Sequence, residues 1–585
     1  MAQETPAAVP ATQPAPNEAV IELNKAPENQ PATVAAPTEV PATTKETEAQ
    51  NAEKVKEMVK ELVKEELAKE KKEAAEAKKA EEIKAVAAPK GLVSYDFTKS
   101  ALTFMFGDDN LRDNGFYSPG TRIGYSESYA DFSNRFRSYD NRNKGITRLT
   151  LFHQDSGYIP NITTKIGLAF NLYNRMGVDT FQVETKIEEG GSFIEIGYEK
   201  DFLLKLKVFP YNSDAMAIGF FPGLRWGTKD VYPQLISGEL IPGMQVLFGK
   251  KDFSIYAGMK TRAQPKTDPI DTEMTQKEMV YGFFGGASYS FDKFQGNLQA
   301  AYINKGDNYK ISEQELASSG DDTVLSYGID FFAKYEDGDF IGEPLGITYF
   351  MDNEWRDPVY TKPLSYRFRA EGIMLNERLQ NADYLSYDES GDTETITDNF
   401  YAYAGGAEAS VKFDKARVFL MGSYRTLSFL VFDASYETIS KDAETTNELM
   451  GSLNADYNWE FLWFGLSAGL KKPATYKAPG SNTTTVIKDR LSTNSKTNAF
   501  SKTREELPEG YDAMNIAFYK ANLRAKFSES VSANLEFGYT IDHNMAKYVE
   551  YKDENGTGHG NLVREWDVKE VQDIYSLLFS VEGRF

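Results

Sequence analysis

At 585 residues the chain is too long for one ordinary soluble domain, and the absence of cysteine excludes disulfides and thiolate metal sites. A formal charge of −22 and a pI near 4.9 argue against nucleic acid as a partner, because phosphate binding requires clustered Lys and Arg. Aromatic residues make up 13%, with 34 Tyr and 38 Phe against 5 Trp, a bias that suits strands and interfacial girdles.

Residues 1–50 are rich in Ala, Pro, Thr and Glu, with prolines at positions 6, 10, 14, 16, 27, 31, 37 and 41. Such a stretch cannot bury enough apolar surface to fold, and proline stiffens it, so it reads as a disordered, semi-extended tether. Its first residues lack the basic start and apolar stretch of a secretion signal, which implies numbering from at or near a mature end. In residues 51–91 the composition changes to Lys, Glu and Ala. Val55, Met58, Val59, Leu62, Val63 and Leu67 follow helical spacing, and Glu and Lys recur three and four apart. The segment reads as a charged helix, either a solvated spacer or a short coiled coil that oligomerises or docks on a partner. Pro89-Lys90-Gly91 ends it.

From residue 92 to 585 the helical period gives way to alternation. Clear runs occupy 162–173, 180–188, 192–199, 204–210, 253–263, 279–291, 294–304, 325–335, 364–374, 399–413, 415–425, 428–438, 449–459, 462–471, 517–527 and 531–541. Weaker ones lie near 101–107, 146–153, 215–221, 243–250 and 343–351. Many reach the roughly 9–11 residues that cross a bilayer at barrel tilt. Asp292-Lys293 and Asp414-Lys415 make tight turns, while 264–277, 305–322, 376–398, 472–512 and 544–570 are long and polar. Short turns suit the periplasmic end of a barrel and long loops the outside. Tyr335, Tyr403, Tyr436, Tyr457, Trp459 and Tyr539 sit near the ends of apolar faces, where rings with a polar tip belong at a lipid–water boundary. A mean hydropathy of −0.49 is compatible with this, since half of each strand would face water.

The expected fold class is an all-β transmembrane β-barrel of about 18–22 antiparallel strands, preceded by the tether and the helix. A lumen that wide must hold water or a plug. Charges on the polar faces single out Arg367, Arg369, Glu371, Lys520, Arg524 and Lys526 as pore-lining candidates. Signs of catalysis are weak. Of three histidines, His153 and His543 end strands and His559 sits among glycines; Asp542 and His543 are strand neighbours and point to opposite faces. Asp337 with Asp339, and Asp553 with Asn555 and Thr557, alternate but complete no calcium loop. No metal and no cofactor are expected. The glycine pairs Gly285-Gly286 and Gly405-Gly406 suggest bends or bulges rather than phosphate loops.

The last strand places Tyr575, Leu577, Phe579, Val581, Gly583 and Phe585 on one face and Ser576, Leu578, Ser580, Glu582 and Arg584 on the other. This ending, with apolar residues at alternate positions before a terminal Phe, resembles the membrane-insertion signature of Gram-negative outer-membrane β-barrels; Gly583 departs from the pattern. The resemblance implies an outer-membrane location with the N-terminus in the periplasm. It also implies contact with outer-membrane lipid and lipopolysaccharide, handling by the barrel-assembly machinery, and possible homo-oligomers. Partners in the periplasm or linked to peptidoglycan would be met through 51–87. The leading function is a porin-like channel for passive diffusion of small hydrophilic solutes. The alternative is a non-conducting scaffold that anchors a trans-envelope complex through the helix.

Overall fold

The computed structural model describes residues 97–108, 144–156, 158–176, 183–189, 191–213, 216–221, 223–228, 240–267, 275–307, 323–340, 360–379, 384–387, 393–396, 399–432, 443–488, 490, 504–544, 547–552, 558–565 and 573–584. The expected tether and helix, the weak run at 343–351, Tyr436 and Phe585 lie outside them.

The wall consists of β1 (Phe97–Asp108), β2 (Lys144–Ser156), β3 (Ile162–Met176), β4 (Val183–Glu189), β5 (Phe193–Glu199), β6 (Leu203–Phe209), β7 (Gly243–Lys250), β8 (Phe253–Thr267), β9 (Thr275–Phe291) and β10 (Phe294–Asp307). It continues with β11 (Thr323–Asp337), β12 (Leu364–Leu379), β13 (Asn399–Phe413), β14 (Ala416–Arg425), β15 (Glu448–Trp459), β16 (Leu462–Lys472), β17 (Ile516–Lys526), β18 (Val531–Ile541) and β19 (Asp573–Arg584). Apart from β4 and β5, consecutive strands pair antiparallel, and β1 pairs with β19, from Ala101 opposite Arg584 to Asp108 opposite Leu577. The sheet is therefore closed. β4 and β5 both lie along β3, on its Phe170–Met176 and Ile162–Gly167 stretches. They are two halves of one broken strand, so the nineteen segments make an eighteen-stranded barrel. Glu189 holds the break: its Oε1 accepts from Gly191 N (2.8 Å) and Ser192 N, and Ser192 Oγ accepts from Ala169 N (3.1 Å).

The faces are the reverse of a soluble sheet. In β15, Leu449 and Leu453 point outward and are 58% and 55% exposed, while Glu448 and Asn454 point inward at 0%. The same inversion holds in β18 and in the visible part of β19, where Leu577 and Phe579 are exposed while Ser580 and Glu582 are buried. An exterior this apolar is stable only in lipid, and a closed ring leaves no unpaired strand edge there. The chain is a membrane-spanning β-barrel. No described helix is long and apolar enough to cross a membrane.

Aromatics ring both ends of the apolar belt. Near the short turns, Phe294, Tyr335 and Tyr366 stack in a row (4.6 and 5.8 Å), with Phe291, Phe413, Trp459 and Phe461 exposed close by. Near the other end, Tyr519, Tyr539 and Tyr575 line up (6.0 and 5.0 Å). Tyr327 and Tyr335 of β11 belong to opposite girdles. Eight residues at about 3.3 Å each, tilted by about 40°, place them roughly 20 Å apart along the membrane normal, close to the belt height of known barrels.

The tight turns are as expected. Asp292 and Asp414 take left-handed φ values (both 51°), which short polar side chains tolerate best. At the opposite end, hairpins (Tyr384–Tyr387 with Thr393–Ile396, Lys547–Lys552 with Gly558–Glu565) and a small sheet of Glu444–Thr446, Ala474–Lys477, Thr485–Ile487 and Arg504–Glu506 extend the long connections.

Two expected strands are not strands. Residues 428–438 were expected to alternate; instead Leu427–Val431 form a short helix, α1, with Thr426 as N-cap accepting from Phe429 N (3.2 Å). Leu427, Phe429, Leu430, Val431 and Phe432 are all buried, so this run is apolar all round and suits a buried helical turn rather than a wall strand. In the weak run at 215–221, the described residues 216–221 likewise leave the wall. Gly219 at φ 95° breaks the extended path.

Candidate functional site in the lumen

The connection after β6 turns into the barrel rather than away from it. Ile218 and Trp226 exchange two backbone hydrogen bonds (2.9 Å each), closing a lasso whose bend is tightened by Leu224 N and Arg225 N bonding Phe221 O. Gly219 is required in the bend: a Cβ there would lie 2.9 Å from Arg225 Cα. Glycines in the wall receive the lasso. A Cβ on Gly328 would meet Ile218 at 2.6 Å and Trp226 at 2.7 Å, and one on Gly258 would meet Met216 at 2.6 Å.

The wall also holds the lasso by its backbone. Glu371 of β12 accepts from Phe220 N (2.7 Å) and Phe221 N (2.5 Å), and Gln299 of β10 accepts from Gly219 N (3.0 Å). Lys260 of β8 donates to Met216 O (3.0 Å) and Gly227 O. Arg425 and Arg490 donate to Gly223 O (3.3 Å) and Arg225 O (2.8 Å). Apolar contacts complete the seat: Phe220 against Phe332 (4.4 Å) and Trp226 edge-on to Phe432 beside α1 (5.8 Å). Glu371 stands mid-strand, so the lasso crosses the bore at mid-height.

Below and above it the wall is charged, with the charges paired. Glu408 takes Arg367 (2.8 Å) and Arg369; Asp456 takes Arg417 (2.8 Å) and Tyr360 Oη (2.9 Å). Glu448 takes Arg425 (2.6 Å) and Lys471 (2.7 Å); Glu377 takes Lys305 and Ser326 Oγ (2.8 Å). These groups are nearly dry, so each charge depends on its partner. At the short-turn end, a 3₁₀ turn (Gly338–Phe340) slips Phe340 under Arg367 and Lys412, 4.8 and 4.4 Å from its ring. Asp339 holds this turn, accepting from Thr361 N, Lys362 N and Thr361 Oγ1, all at 2.6 Å. Burial pushes the Asp339 carboxyl up, but the Thr361 hydroxyl, the two backbone N–H groups and the Lys412 charge outweigh it and hold it below the ordinary 3.8.

All six pore-lining candidates point inward, yet they occupy two settings. Arg367, Arg369 and Glu371 lie in the sealed part around the lasso, Glu371 as its anchor rather than an open charge. Lys520, Arg524 and Lys526 lie on β17, where Lys520 pairs with Glu536 (3.0 Å) and Arg524 sits over Trp463 (5.0 Å). Asp337 pairs with Lys293 (2.9 Å), so neither it nor Asp339 is left for a cation; the 553–557 cluster is outside the described residues. Asp542 is buried on Lys488 (2.7 Å) while His543 is exposed, on opposite faces as expected. Among the described residues no group of three His, Asp or Glu could hold a metal. Sequence reasoning missed Gln299, Lys260 and the lasso. Its one visible signal was Phe220-Phe221-Pro222-Gly223-Leu224-Arg225-Trp226, an apolar, glycine-flanked stretch inside a connection.

No protein-family model matches the sequence, and no curated protein does. Similar solved structures include OccK11 (OpdR) from Pseudomonas aeruginosa at 8% identity, covering 84% of this chain and 96% of that one, with a TM-score of 0.39. The outer membrane protein OprD from Pseudomonas aeruginosa gives 11% identity, 85% and 95% coverage and a TM-score of 0.38. OccAB3 from Acinetobacter baumannii gives 8%, 84%, 99% and 0.39. At such scores the fold of this chain rests on its own strand ladder.

Proposed function

We propose that this chain is a channel of the bacterial outer membrane that passes small hydrophilic solutes down their gradient, with its bore narrowed by the inward lasso and α1. The observation that carries the reading is the inversion of faces: apolar residues meet lipid while charged, amide and hydroxyl groups line the inside of the wall. A barrel that served only as an anchor would need the exterior but not a polar lining at every height. The start of β1 and Arg584 both lie at the short-turn end, Phe97 opposite Gln154 and Arg584 opposite Ala101. Both ends of the barrel chain and the short turns at one end fit a periplasmic orientation of that end.

Reconstitution of the folded chain into planar bilayers tests this. Discrete conductance steps are expected, and deletion of residues 1–90 should leave them in place. Silence from protein that keeps its heat-modifiable barrel mobility would sink the reading and favour the scaffold.

A further inference from the structure

Asp330 of β11 and Glu371 of β12 are two carboxyls set under the bend of the lasso. They lie diagonal to one another across the ladder, since Phe332 opposes Glu371 and Asp330 opposes Ile373. Both are buried, Asp330 at 0% exposure and Glu371 at 6%. Glu371 carries Phe220 N and Phe221 N, and Gln299, directly opposite Asp330, carries Gly219 N. A Cβ on Gly219 would lie 3.0 Å from Glu371 Oε1, so the lasso backbone rests on the carboxyl itself. Asp330 takes no N–H or O–H from the protein, and its hydrogen-bond neighbour is the Glu371 carboxyl.

Two carboxylates have no proton with which to bond each other, and in a dry site their like charges repel strongly. A carboxyl pair in contact therefore holds one proton between its members. The cations around it are engaged elsewhere. Arg369, beside Glu371 on β12, is held by Glu408 of β13. Arg225 of the lasso faces Tyr256 of β8, which is hydrogen-bonded to Gln299 of β10. Lys260 of β8 is turned to Met216 O and Gly227 O, and Arg425 of β14 to Glu448. Loss of the shared proton would leave two adjacent negative charges that call for water. The cover that yields to admit it is the lasso, because β11 and β12 are each paired on both sides. We propose that Asp330 and Glu371 form a proton-operated latch, which holds the lasso across the bore while the pair keeps its proton and releases it when the proton is lost. The proton is a ligand of the narrow state, so acid keeps the channel narrow and alkali widens it. This deepens the channel reading and rests on it.

The test is the single-channel conductance of the full chain in planar bilayers between about pH 5 and pH 9, with amide exchange at Phe220 and Phe221 over the same range. Conductance should about double as the pH rises. Exchange protection, corrected for intrinsic base catalysis, should fall about tenfold. Asp330→Asn gives Glu371 an amide N–H in place of the shared proton, so its conductance should stay at the acid level and its protection should hold at every pH. Should that variant lose its heat-modifiable mobility, Glu371→Gln, which gives Asp330 an amide N–H and keeps an acceptor for the lasso, takes its place with the same loss of pH dependence. In infrared difference spectra the parent should show a carboxylic-acid C=O band that fades with rising pH and that Asp330→Asn lacks. Conductance and protection that ignore pH, a variant that still opens in alkali, or an acid band that survives Asp330→Asn would each overturn the latch. Silence in bilayers together with the fall in protection removes the channel and keeps the latch, and conductance without pH dependence does the reverse.

Discussion

Strands β8–β15 and strands β16–β19 present much the same residues to lipid but different ones to the lumen. The first arc offers glycine seats, aromatic rings and buried ion pairs, many of them engaged with the lasso, α1 or the Phe340 turn. The second offers Asn522, Asn534, Ser532 and Ser580 among charges that include Lys520, Arg524, Glu536 and Glu582. Lipid makes the same demand on every outward position, so the exterior carries no information about what passes. The inward positions are free to differ, and they divide the wall into an arc that holds the lasso and an arc that does not.

The most forceful way to break that division is to fill a seat. Gly328→Leu places a side chain where Ile218 and Trp226 already sit, 2.6 and 2.7 Å from the first added carbon. Overpacking of this kind costs about 1–3 kcal/mol. Because Gly328 is on a strand paired on both sides, the lasso rather than the wall should yield. Conductance should at least double with the barrel still heat-modifiable; unchanged conductance in a folded variant would mean that the lasso does not limit the bore.

Removing the anchor should do less. Glu371→Ala deletes the acceptor for Phe220 N and Phe221 N, and leaving a buried N–H unsatisfied costs about 1–3 kcal/mol. The apolar seat remains, so the lasso should loosen rather than leave. Single-channel records should show frequent brief openings to the Gly328→Leu level, and Glu371→Gln should show fewer. A steady wild-type trace from Glu371→Ala would assign the closure to packing alone.

The arcs can be compared through one substitution made in each. Glu536→Gln leaves Lys520 uncompensated on the arc away from the lasso, so the reversal potential in a salt gradient should move toward anion preference. Asp456→Asn does the same to Arg417 on the arc that holds the lasso. Its expected effect is lower thermal stability with unchanged selectivity. Equal selectivity shifts from the two variants would erase the distinction between the arcs.

The barrel itself was legible because lipid imposes period-two alternation on every strand, and runs such as 399–413, 449–459 and 531–541 carry it almost unbroken. Inward placement of Arg367, Glu371, Lys520 and Arg524 followed from the same parity. The lasso and α1 were not legible. They are apolar on several faces because they pack inside a polar tube, and a local pattern cannot distinguish that from a strand. The role of Glu371 was hidden for a related reason: its partners are backbone N–H groups some 150 residues earlier in the chain, and any residue supplies those. Gly328 was visible only as a gap in an alternating face, and its meaning depends on Trp226, which sequence does not place.

The smallest expected effect lies at the short-turn end, where Asp339 fastens the Phe340 turn on the arc that holds the lasso. Its carboxyl is held below the ordinary 3.8, so the folded state favours the ionised form. The resulting stabilisation is fully present above that ordinary value and is lost as pH falls through the lower folded-state value. Asp339→Asn should therefore lower the melting temperature slightly at pH 7, and the gap between variant and parent should close as the pH falls below the ordinary 3.8. Amide exchange at Thr361 and Lys362 should follow the same course, protected in the parent at neutral pH and faster in the variant. A gap that persists unchanged into acid would mean that Asp339 acts through shape rather than charge, with the turn held by Phe340 under Arg367 and Lys412.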